Sequence, residues 1–233
     1  MTIPRRWRDR SRVHRWLSDL RTRLSLRPST RAAWRARWGD ASYETPWAGA
    51  TVPDPVQAAL ASGWLKAGDS VLDVGCGDGK IAAFLADAGC TVTAIDFAEG
   101  AVARTRERCQ RFGDRVHVEL CDITSGLPSR AGFDAVVDVG CFQSLVPRFA
   151  ARYARNVATV CRPGAHVTLV LPISCLWRAP VEKAYAERLR RNVFRVFSPA
   201  FTVVDAQEAP FRAAAGDAAS HSGVSLAVRL ERR

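Results

Sequence analysis

The stretch SVLDVGCGDGKIAAFL, residues 70–85, carries the residues whose types and spacing most clearly indicate chemistry. Asp73 ends a short apolar run, and three glycines follow at every second position: Gly75, Gly77 and Gly79. A dinucleotide fingerprint has the spacing GxGxxG, and a phosphate loop has the spacing GxxxxGK[ST]. Neither spacing is present, and Asp78 inside the loop would repel a phosphate. The loop is therefore predicted to lie close to a ligand that carries positive charge.

Acidic residues also end the next three apolar runs of this region. TVTAID ends in Asp96, VHVELCDI contains Asp122, and FDAVVDVG contains Asp138. In an open α/β sheet a ligand binds at the carboxyl ends of the strands. The sequence therefore predicts that these carboxylates and the glycine loop meet at one edge of a sheet.

The segment VLDVGCGDG resembles the first motif of class I methyltransferases that use S-adenosylmethionine (SAM), and the strand-end acids follow at workable distances. CRPGAHVTLVLP, residues 161–172, resembles the helix–turn–strand that comes after them, with Pro163 and Gly164 making the turn. The resemblance covers about residues 45–231. It implies a Rossmann-like, doubly wound α/β fold with a seven-stranded, mostly parallel sheet and an antiparallel edge strand.

The resemblance also implies SAM as the cofactor, because its amino and sulfonium groups are cationic and it has no phosphate. Asp96 would then accept from both ribose hydroxyls, since a carboxylate is acceptor-only with several lone-pair directions. Asp122 would accept from the adenine amino group, with Ile123 and Phe97 flanking the ring. The predicted cofactor-binding residues are Trp47, Asp73, Gly75, Gly77, Gly79, Asp96, Phe97, Asp122, Ile123 and Val139.

Alternating β-rich and helical segments predict the elements that position these residues. The predicted strands are 70–74, 91–95, 115–120, 133–138, 165–171, 201–206 and 224–230. The predicted helices are about 79–88, 99–111, 147–160 and 181–194, after three earlier ones. The first of these runs through residues 13–24, and the other two begin near Thr30 and Pro55. The connection between the last two strands is too short for a helical crossover, which predicts an antiparallel pair at one edge.

Composition and charge narrow the class of protein. The chain has 233 residues and a formal net charge of +11. Residues 1–37 hold twelve arginines and two aspartates, so the rest of the chain is nearly neutral. A neutral core argues against a folded domain that grips a polyanion. Seven cysteines without a CxxC pair predict a reduced, cytoplasmic protein with neither a disulfide framework nor a metal site.

Two parts of the chain are distinguished on this basis. Residues 1–42 are predicted to be a basic, Arg- and Trp-rich helical extension, and residues 43–233 the methyltransferase domain with a substrate-side insertion at about 172–200. Three interpretations of the extension stay open: a helix packed on the domain, a lid over a substrate pocket that uses Trp34 and Trp38, or a tether to a membrane or polyanion. Residues 1–37 could also dock an acidic carrier protein.

The acceptor side carries less information. The segments 45–55 and 133–164 look most like small-molecule methyltransferases of the thiopurine methyltransferase-like kind, by which Trp47 is a pocket residue or an aromatic plug. The predicted catalytic residues are Asp138 and Gln143. Asp138 is a carboxylate that could instead orient the methionine end of SAM or cap its strand. Many relatives of this kind have a histidine where Gln143 stands, and an amide can orient an acceptor but cannot take a proton.

The predicted function is methyl transfer from SAM to a sulfur, nitrogen or oxygen atom of a small molecule, in a biosynthetic or detoxifying pathway. Trp177, Tyr185 and Phe194 could line the acceptor pocket, Arg178 could bind an acidic acceptor, and His221 is an alternative base. Two other functions stay open: a nucleic-acid or protein methyltransferase anchored by the basic extension, and a SAM-binding partner subunit without transfer activity.

Overall fold

The computed structural model describes residues 31–45, 51–174, 183–211 and 223–233. Seven strands form a single sheet. They are β1 (Ser70–Val74), β2 (Thr91–Asp96), β3 (Val116–Leu120), β4 (Phe133–Val139), β5 (Cys161–Ser174), β6 (Phe201–Phe211) and β7 (Gly223–Arg232). The helices are α1 (Arg31–Gly39), α2 (Asp54–Ala61), α3 (Lys80–Asp87), α4 (Glu99–Cys109), α5 (Pro147–Val160) and α6 (Lys183–Phe197). The predicted elements within the described residues are all present.

The strand order in the sheet is β3-β2-β1-β4-β5-β7-β6. The first five strands of this order pair in parallel, and β7 pairs antiparallel with both β5 and β6. The predicted doubly wound α/β sheet with an antiparallel pair at one edge is confirmed. The antiparallel strand is inserted between β5 and the outermost strand β6, because the short connection after β6 lets β7 pair back between them.

Both faces of the sheet are covered, which explains why the central strands are apolar at nearly every position. The face that carries α5 and α6 packs around Tyr153, Phe133 and Phe197, and the opposite face around Leu65, Leu85 and other aliphatic side chains. This double burial leaves the carboxyl edge of the sheet as the place where polar side chains gather. The sheet reverses direction of winding between β1 and β4, so that edge has a crevice beside β1.

Helix α1 lies against the start of α4. Trp38 is 5% exposed and packs with Ala98 and Ala101, and a Cβ at Gly100 would clash with the Trp38 carbonyl oxygen. Arg104 on α4 donates to the backbone oxygens of Tyr43 (Nη1 to O, 2.8 Å) and Asp40 (Nη2 to O, 2.9 Å). Residues 31–43 of the basic segment therefore pack on the α/β core.

The boundary at residue 42 and the insertion at 172–200 stay predictions. The described residues 183–197 of that insertion form α6. The six cysteines in the described ranges are all free. Among the helices that the structure describes, none is long and apolar enough to span a membrane.

Candidate active site

The glycine loop connects β1 to α3 by a tight turn. The backbone N–H groups of Gly75 and Cys76 both donate to the Ile95 oxygen at the end of β2, at 2.8 and 3.0 Å. Gly79 has φ +77° and caps α3, and a Cβ there would lie 2.9 Å from the Cα of Thr105 on α4. A side chain at Gly79 would therefore be both strained and obstructed. These contacts hold the loop against the adjoining strand end and against α4.

Asp73 lies at the carboxyl end of β1, directly before this loop. Its side chain is 1% exposed, and its Oδ2 atom has no hydrogen-bond partner among the described residues. Burial is the largest cause that raises the pKa of Asp73 to about 8; the nearby carboxylates of Asp138 and Asp96 contribute to the rise, and one hydrogen bond from the backbone of Ala82 opposes it. A buried carboxyl without a positive partner is costly when ionised. A cationic ligand beside it would relieve that cost.

Asp96 ends β2 and faces the same loop. Its Oδ2 atom accepts from the backbone N–H of Gly77 at 3.2 Å, and its Oδ1 atom accepts from that of Ala98 at 3.0 Å. Burial raises the pKa of Asp96, and these backbone donors act in the opposite direction. The carboxylate therefore ties β2 to the glycine loop and keeps lone pairs for a hydroxylated ligand.

Asp122 follows β3, and its carboxylate has two kinds of partner. The Oδ1 atom accepts from the backbone N–H and the hydroxyl of Thr124, at 2.9 and 2.8 Å, and the Oδ2 atom lies 2.8 Å from Nη2 of Arg31. Ile123 beside it is buried, and its oxygen accepts from Nδ2 of Asn156 at 2.7 Å. The turn after β3 is thus fixed from α5 on one side and met by α1 on the other.

Phe97 directly follows β2, and its aromatic ring lies next to α1. It is partly buried, and the guanidinium of Arg35 lies 5.5 Å from its centroid. The backbone N–H of Cys121 donates to the Asp96 oxygen at 2.9 Å, which brings the ends of β2 and β3 together. The structure therefore places Asp96, Phe97, Asp122 and Ile123 along one side of the crevice.

Asp138 is engaged in the interior rather than open to the crevice. It is fully buried and accepts from the hydroxyl of Tyr153 (to Oδ2, 2.6 Å) and from the backbone N–H groups of Cys141 (to Oδ1, 2.9 Å) and Phe142 (to Oδ2, 2.9 Å). The pKa of Asp138 is raised to about 6, because burial outweighs the opposing effect of these hydrogen-bond donors. This set of partners favours the strand-capping alternative for Asp138, because its oxygen atoms already serve to order the turn after β4.

Gln143 and Val139 lie on that turn. Val139 is partly buried at the end of β4, and Gln143 is in the short 3-10 helix Phe142–Ser144. The Oε1 atom of Gln143 is buried and has no hydrogen-bond partner in the described residues. A buried amide oxygen without a donor is rare in native structures and calls for a partner. No group in the described part of the chain donates a hydrogen bond to this oxygen.

The geometry also shows contacts at this edge that the sequence pattern did not predict. Cys141 packs against the loop, since a Cβ on Gly75 would lie 2.7 Å from the Cβ of Cys141. Tyr153 supplies the hydroxyl to Asp138; its signal in the sequence is a tyrosine on the apolar face of the amphipathic helix α5. Trp38 contacts Gly77, with Cζ2 3.2 Å from the position of a Cβ there. The lid hypothesis placed Trp38 over a substrate pocket, whereas the structure places it at the cofactor loop.

Asp78 does not carry the unbalanced charge that the sequence argument gave it. Its Oδ2 atom lies 3.1 Å from Nη2 of Arg108, and Nε of Arg108 donates to its backbone oxygen. Because Arg108 balances its charge, Asp78 repels a phosphate less strongly than an unpaired carboxylate would. The spacing of the glycines is the stronger reason to exclude a phosphate loop. The acidic groups that a cationic ligand would favour in their ionised form are instead the buried carboxyls of Asp73 and Asp96.

Histidine bases are missing from this edge in the ranges that the structure covers. His117 is the second residue of β3 and lies 3.7 Å from a Glu119 oxygen, and His166 stacks on Trp64 where the β4–β5 ladder begins. Both lie toward the amino ends of their strands. Several predicted residues lie outside the described residues: His14, Trp47, Trp177, Arg178 and His221. No group of three metal-ligating side chains is present among the described residues.

Comparisons with known proteins agree with this geometry. The family model "Methyltransferase domain" matches residues 71–164, the span from β1 to the first residues of β5. An uncharacterized methyltransferase of Schizosaccharomyces pombe is 28% identical over 104 residues, which are 45% of this chain and 72% of the relative.

The chain is a SAM-dependent methyltransferase with the fold of the class I enzymes. Two solved structures are similar to it across most of their length. The Burkholderia thailandensis 1,6-didemethyltoxoflavin-N1-methyltransferase, solved with 1,6-didemethyltoxoflavin and S-adenosylhomocysteine, is 25% identical with a TM-score of 0.56, covering 94% of this chain and 89% of its own. A structure from work on the conversion of a disulfide bond into a thioacetal group during echinomycin biosynthesis is 24% identical with a TM-score of 0.68, covering 85% and 90%. At 24% identity, this second structure shows only that the two proteins share a fold.

The residues of this methyltransferase fit its cofactor. An unpartnered, buried carboxylate oxygen on Asp73 suits a cationic group, and a second carboxylate on Asp96 suits hydroxyls. A side chain at Gly75 would meet Cys141, so the loop packs against the turn after β4 only with glycine at this position. These acceptor groups suit a ligand that carries a positive charge and hydroxyl groups, and they do not suit a pyrophosphate.

Proposed function

We propose that this methyltransferase transfers the methyl group of SAM to a heteroatom of a small-molecule acceptor, and that it favours an amine or thiol. The single observation that carries the proposal is the polar arrangement at the carboxyl edge: buried acids and an unpartnered amide oxygen, without a histidine base in the described part of this edge. The similar 1,6-didemethyltoxoflavin-N1-methyltransferase supports a small-molecule acceptor.

The residues that would hold the cofactor follow from their positions. Asp96 would accept from the ribose hydroxyls, and Asp122, Ile123 and Phe97 would surround the adenine. Asp73 and the three loop glycines would face the methionine end, where the raised pKa of Asp73 marks the lack of a positive partner. When bound, SAM supplies an electrophilic methyl group on a positively charged sulfur.

The chain's own contribution is orientation and exclusion of water. Holding two reactants in line gains about 7–11 kcal/mol relative to free encounter. Gln143 would accept a hydrogen bond from the N–H of an amine acceptor, which satisfies its buried Oε1 atom and orients the nitrogen lone pair. Amines attack as the free base and thiols as the thiolate, so neither needs a strong protein base. An alcohol would need one, because its proton must leave as the bond forms.

Asp138 would act through the turn that carries Gln143. Its hydrogen bonds to the backbone of Cys141 and Phe142 fix the residues immediately before Gln143. Under this proposal Asp138 is a positioning residue. The finer assignment to the thiopurine methyltransferase-like kind, the cytoplasmic location and a carrier or polyanion at residues 1–37 stay predictions.

The test is an acceptor screen by mass spectrometry, reading a gain of one methyl group. The panel pairs amines, thiols and phenols of the same ring system, with wild type and Gln143→Leu. The proposal expects turnover of amines or thiols, and a loss of about one to two orders of magnitude in kcat/KM for Gln143→Leu, the scale for leaving a hydrogen bond unmade. Gln207→Leu on the outer strand β6 is the matched control and should match wild type.

Two outcomes would contradict the proposal. Efficient turnover of phenols alone, undiminished in Gln143→Leu, would require a base that the described edge does not contain. SAM binding without turnover on any acceptor would favour the SAM-binding partner subunit instead.

A further inference from the structure

Helix α1 lies over the residues proposed to hold the adenosine part of the cofactor. Trp38 near its end contacts Gly77, Arg35 in its middle lies over Phe97, and Arg31 at its start reaches Asp122. Helix α1 therefore lies over the side of the crevice proposed to hold the cofactor, whereas the lid prediction concerned a substrate pocket. Access to that side depends on what holds α1 down.

The two ends of α1 are held differently. The Trp38 end is buried against α4 and fixed by the Arg104 hydrogen bonds to backbone oxygens of residues 40 and 43. The Arg31 end rests on a side chain that is 37% exposed, paired with the Asp122 carboxylate. The first end behaves as an anchor, and the second as a contact that can be exchanged with little cost.

The contact at Arg31 is built from three groups. Its Nη2 atom lies 2.8 Å from Oδ2 of Asp122 and also donates to the hydroxyl of Thr124, and its guanidinium lies 4.5 Å from the centroid of the Phe149 ring. The tertiary partners are what place Arg31.

Asp122 is the residue for which Arg31 and adenine would compete. Thr124 occupies Oδ1 with two hydrogen bonds, and Arg31 occupies Oδ2. An adenine amino group that donates to this carboxylate arrives at the atom that Arg31 holds. Building on the proposed function, we propose that Arg31 is a latch residue: it holds α1 closed over the proposed cofactor site through Asp122 and is displaced when the adenine binds.

A latch of this kind has a kinetic signature. The closed state reduces the fraction of molecules that can accept the cofactor, so apparent association is slowed by that fraction. Removing the latch therefore speeds association and leaves dissociation unchanged. Breaking an exposed ion pair of this type corresponds to an increase of about two- to fivefold in the association rate. Added salt screens the pair, so it accelerates association in wild type toward the rate of the latch-free variant.

The experiment measures binding of S-adenosylhomocysteine to the immobilised full chain by surface plasmon resonance. This ligand has no sulfonium charge, so salt acts mainly on the latch rather than on steering. Arg31→Met is compared with Arg37→Met, which removes the same charge from the same helix but contacts Trp34. We expect about two- to fivefold faster association for Arg31→Met with an unchanged dissociation rate, and wild-type rates for Arg37→Met.

A double substitution tests the route through Asp122. If Arg31 acts through this carboxylate, adding Arg31→Met to Asp122→Asn gives no further acceleration, because the pair is already broken. Faster dissociation in Arg31→Met, or rates equal to Arg37→Met, would overturn the latch while leaving the cofactor site standing. Absence of S-adenosylhomocysteine and SAM binding in wild type would instead overturn the proposed site itself.

Discussion

The ionisation of Asp73 leads to a pH dependence of cofactor affinity that can be worked out in advance. Without cofactor its pKa is about 8, first because of burial and then because of the carboxylates of Asp138 and Asp96. Below that pH the free protein holds a proton on Asp73. A cationic ligand beside the carboxyl favours the ionised form, so binding SAM should release the proton.

The magnitude follows from proton linkage. If the pKa of Asp73 falls well below 6 when SAM is bound, the dissociation constant should be about 10- to 30-fold weaker at pH 6.0 than at pH 7.5, with close to one proton released per SAM near pH 6.5. Staying at or below pH 7.5 keeps the α-amino group of SAM largely protonated. Asp138, with a pKa of about 6, contributes only at the lower end.

Isothermal titration calorimetry in two buffers of different ionisation enthalpy measures both quantities. Asp73→Asn should remove the slope, since an amide does not titrate in this range. Asp87→Asn is the charge-matched control, because Asp87 is exposed and pairs with Arg111 away from the loop. A flat dissociation constant in wild type, or an unchanged slope in Asp73→Asn, would refute the assignment of Asp73 to the cationic end of the cofactor.

Three stability predictions follow from the same site. Tyr153→Phe removes the 2.6 Å hydrogen bond to buried Asp138 and should lower the free energy of unfolding by about 1.5–3 kcal/mol in urea titrations at pH 7.5. Gly79→Ala combines a φ of +77° with a Cβ 2.9 Å from the Thr105 Cα, and should cost at least about 1–3 kcal/mol by the same assay. The folded-state pKa of Asp73, about 8, lies above its usual value of 3.8, so protonation of this carboxyl stabilises the folded state at low pH. This contribution to the free energy of unfolding is lost as pH rises through about 8. Asp73→Asn should therefore raise the Tm of the cofactor-free protein more at pH 9 than at pH 6, by differential scanning calorimetry.

Matched variants separate these causes. Gly132 also has a positive φ, of 80°, but nothing lies within 4 Å of a Cβ there, so Gly132→Ala reports the backbone strain without the contact. Equal losses for Gly79→Ala and Gly132→Ala would contradict the role given to Thr105. An unchanged unfolding free energy for Tyr153→Phe would mean that Asp138 finds another donor. A Tm difference for Asp73→Asn that is the same at both pH values would exclude the raised pKa.

The fold could be predicted from the sequence because local pattern and global architecture agree. Apolar runs of five to seven residues alternate with amphipathic segments, and buried parallel strands need that pattern on both faces of the sheet. The place of β7 between β5 and β6 needed more than pattern. Strand order depends on which edges pair in three dimensions, and the short connection after β6 indicated only that the two strands pair.

The site was predictable where it follows the strand ends and was not where it depends on packing. Asp73, Asp96 and Asp122 stand at the ends of recognisable strands, so topology alone places them at one edge. Arg31 reaches Asp122 from 91 positions away in the chain, and Tyr153 reaches Asp138 through the inward face of α5. Neither contact has a spacing signature, because each depends on how a helix docks. The occupied lone pairs of Asp138 likewise became visible only with its three donors in place.

The most direct test of the central claim is a calorimetric titration with SAM and with S-adenosylhomocysteine, comparing wild type, Asp96→Asn and Asp87→Asn. A cofactor site at the carboxyl edge predicts micromolar binding in wild type and in Asp87→Asn. It also predicts a loss of about 1.5–3 kcal/mol in Asp96→Asn, the scale of hydrogen bonds to a charged group. Equal affinity in all three proteins would place the cofactor elsewhere. No binding in wild type, even with an acceptor present, would contradict the claim that this chain uses SAM.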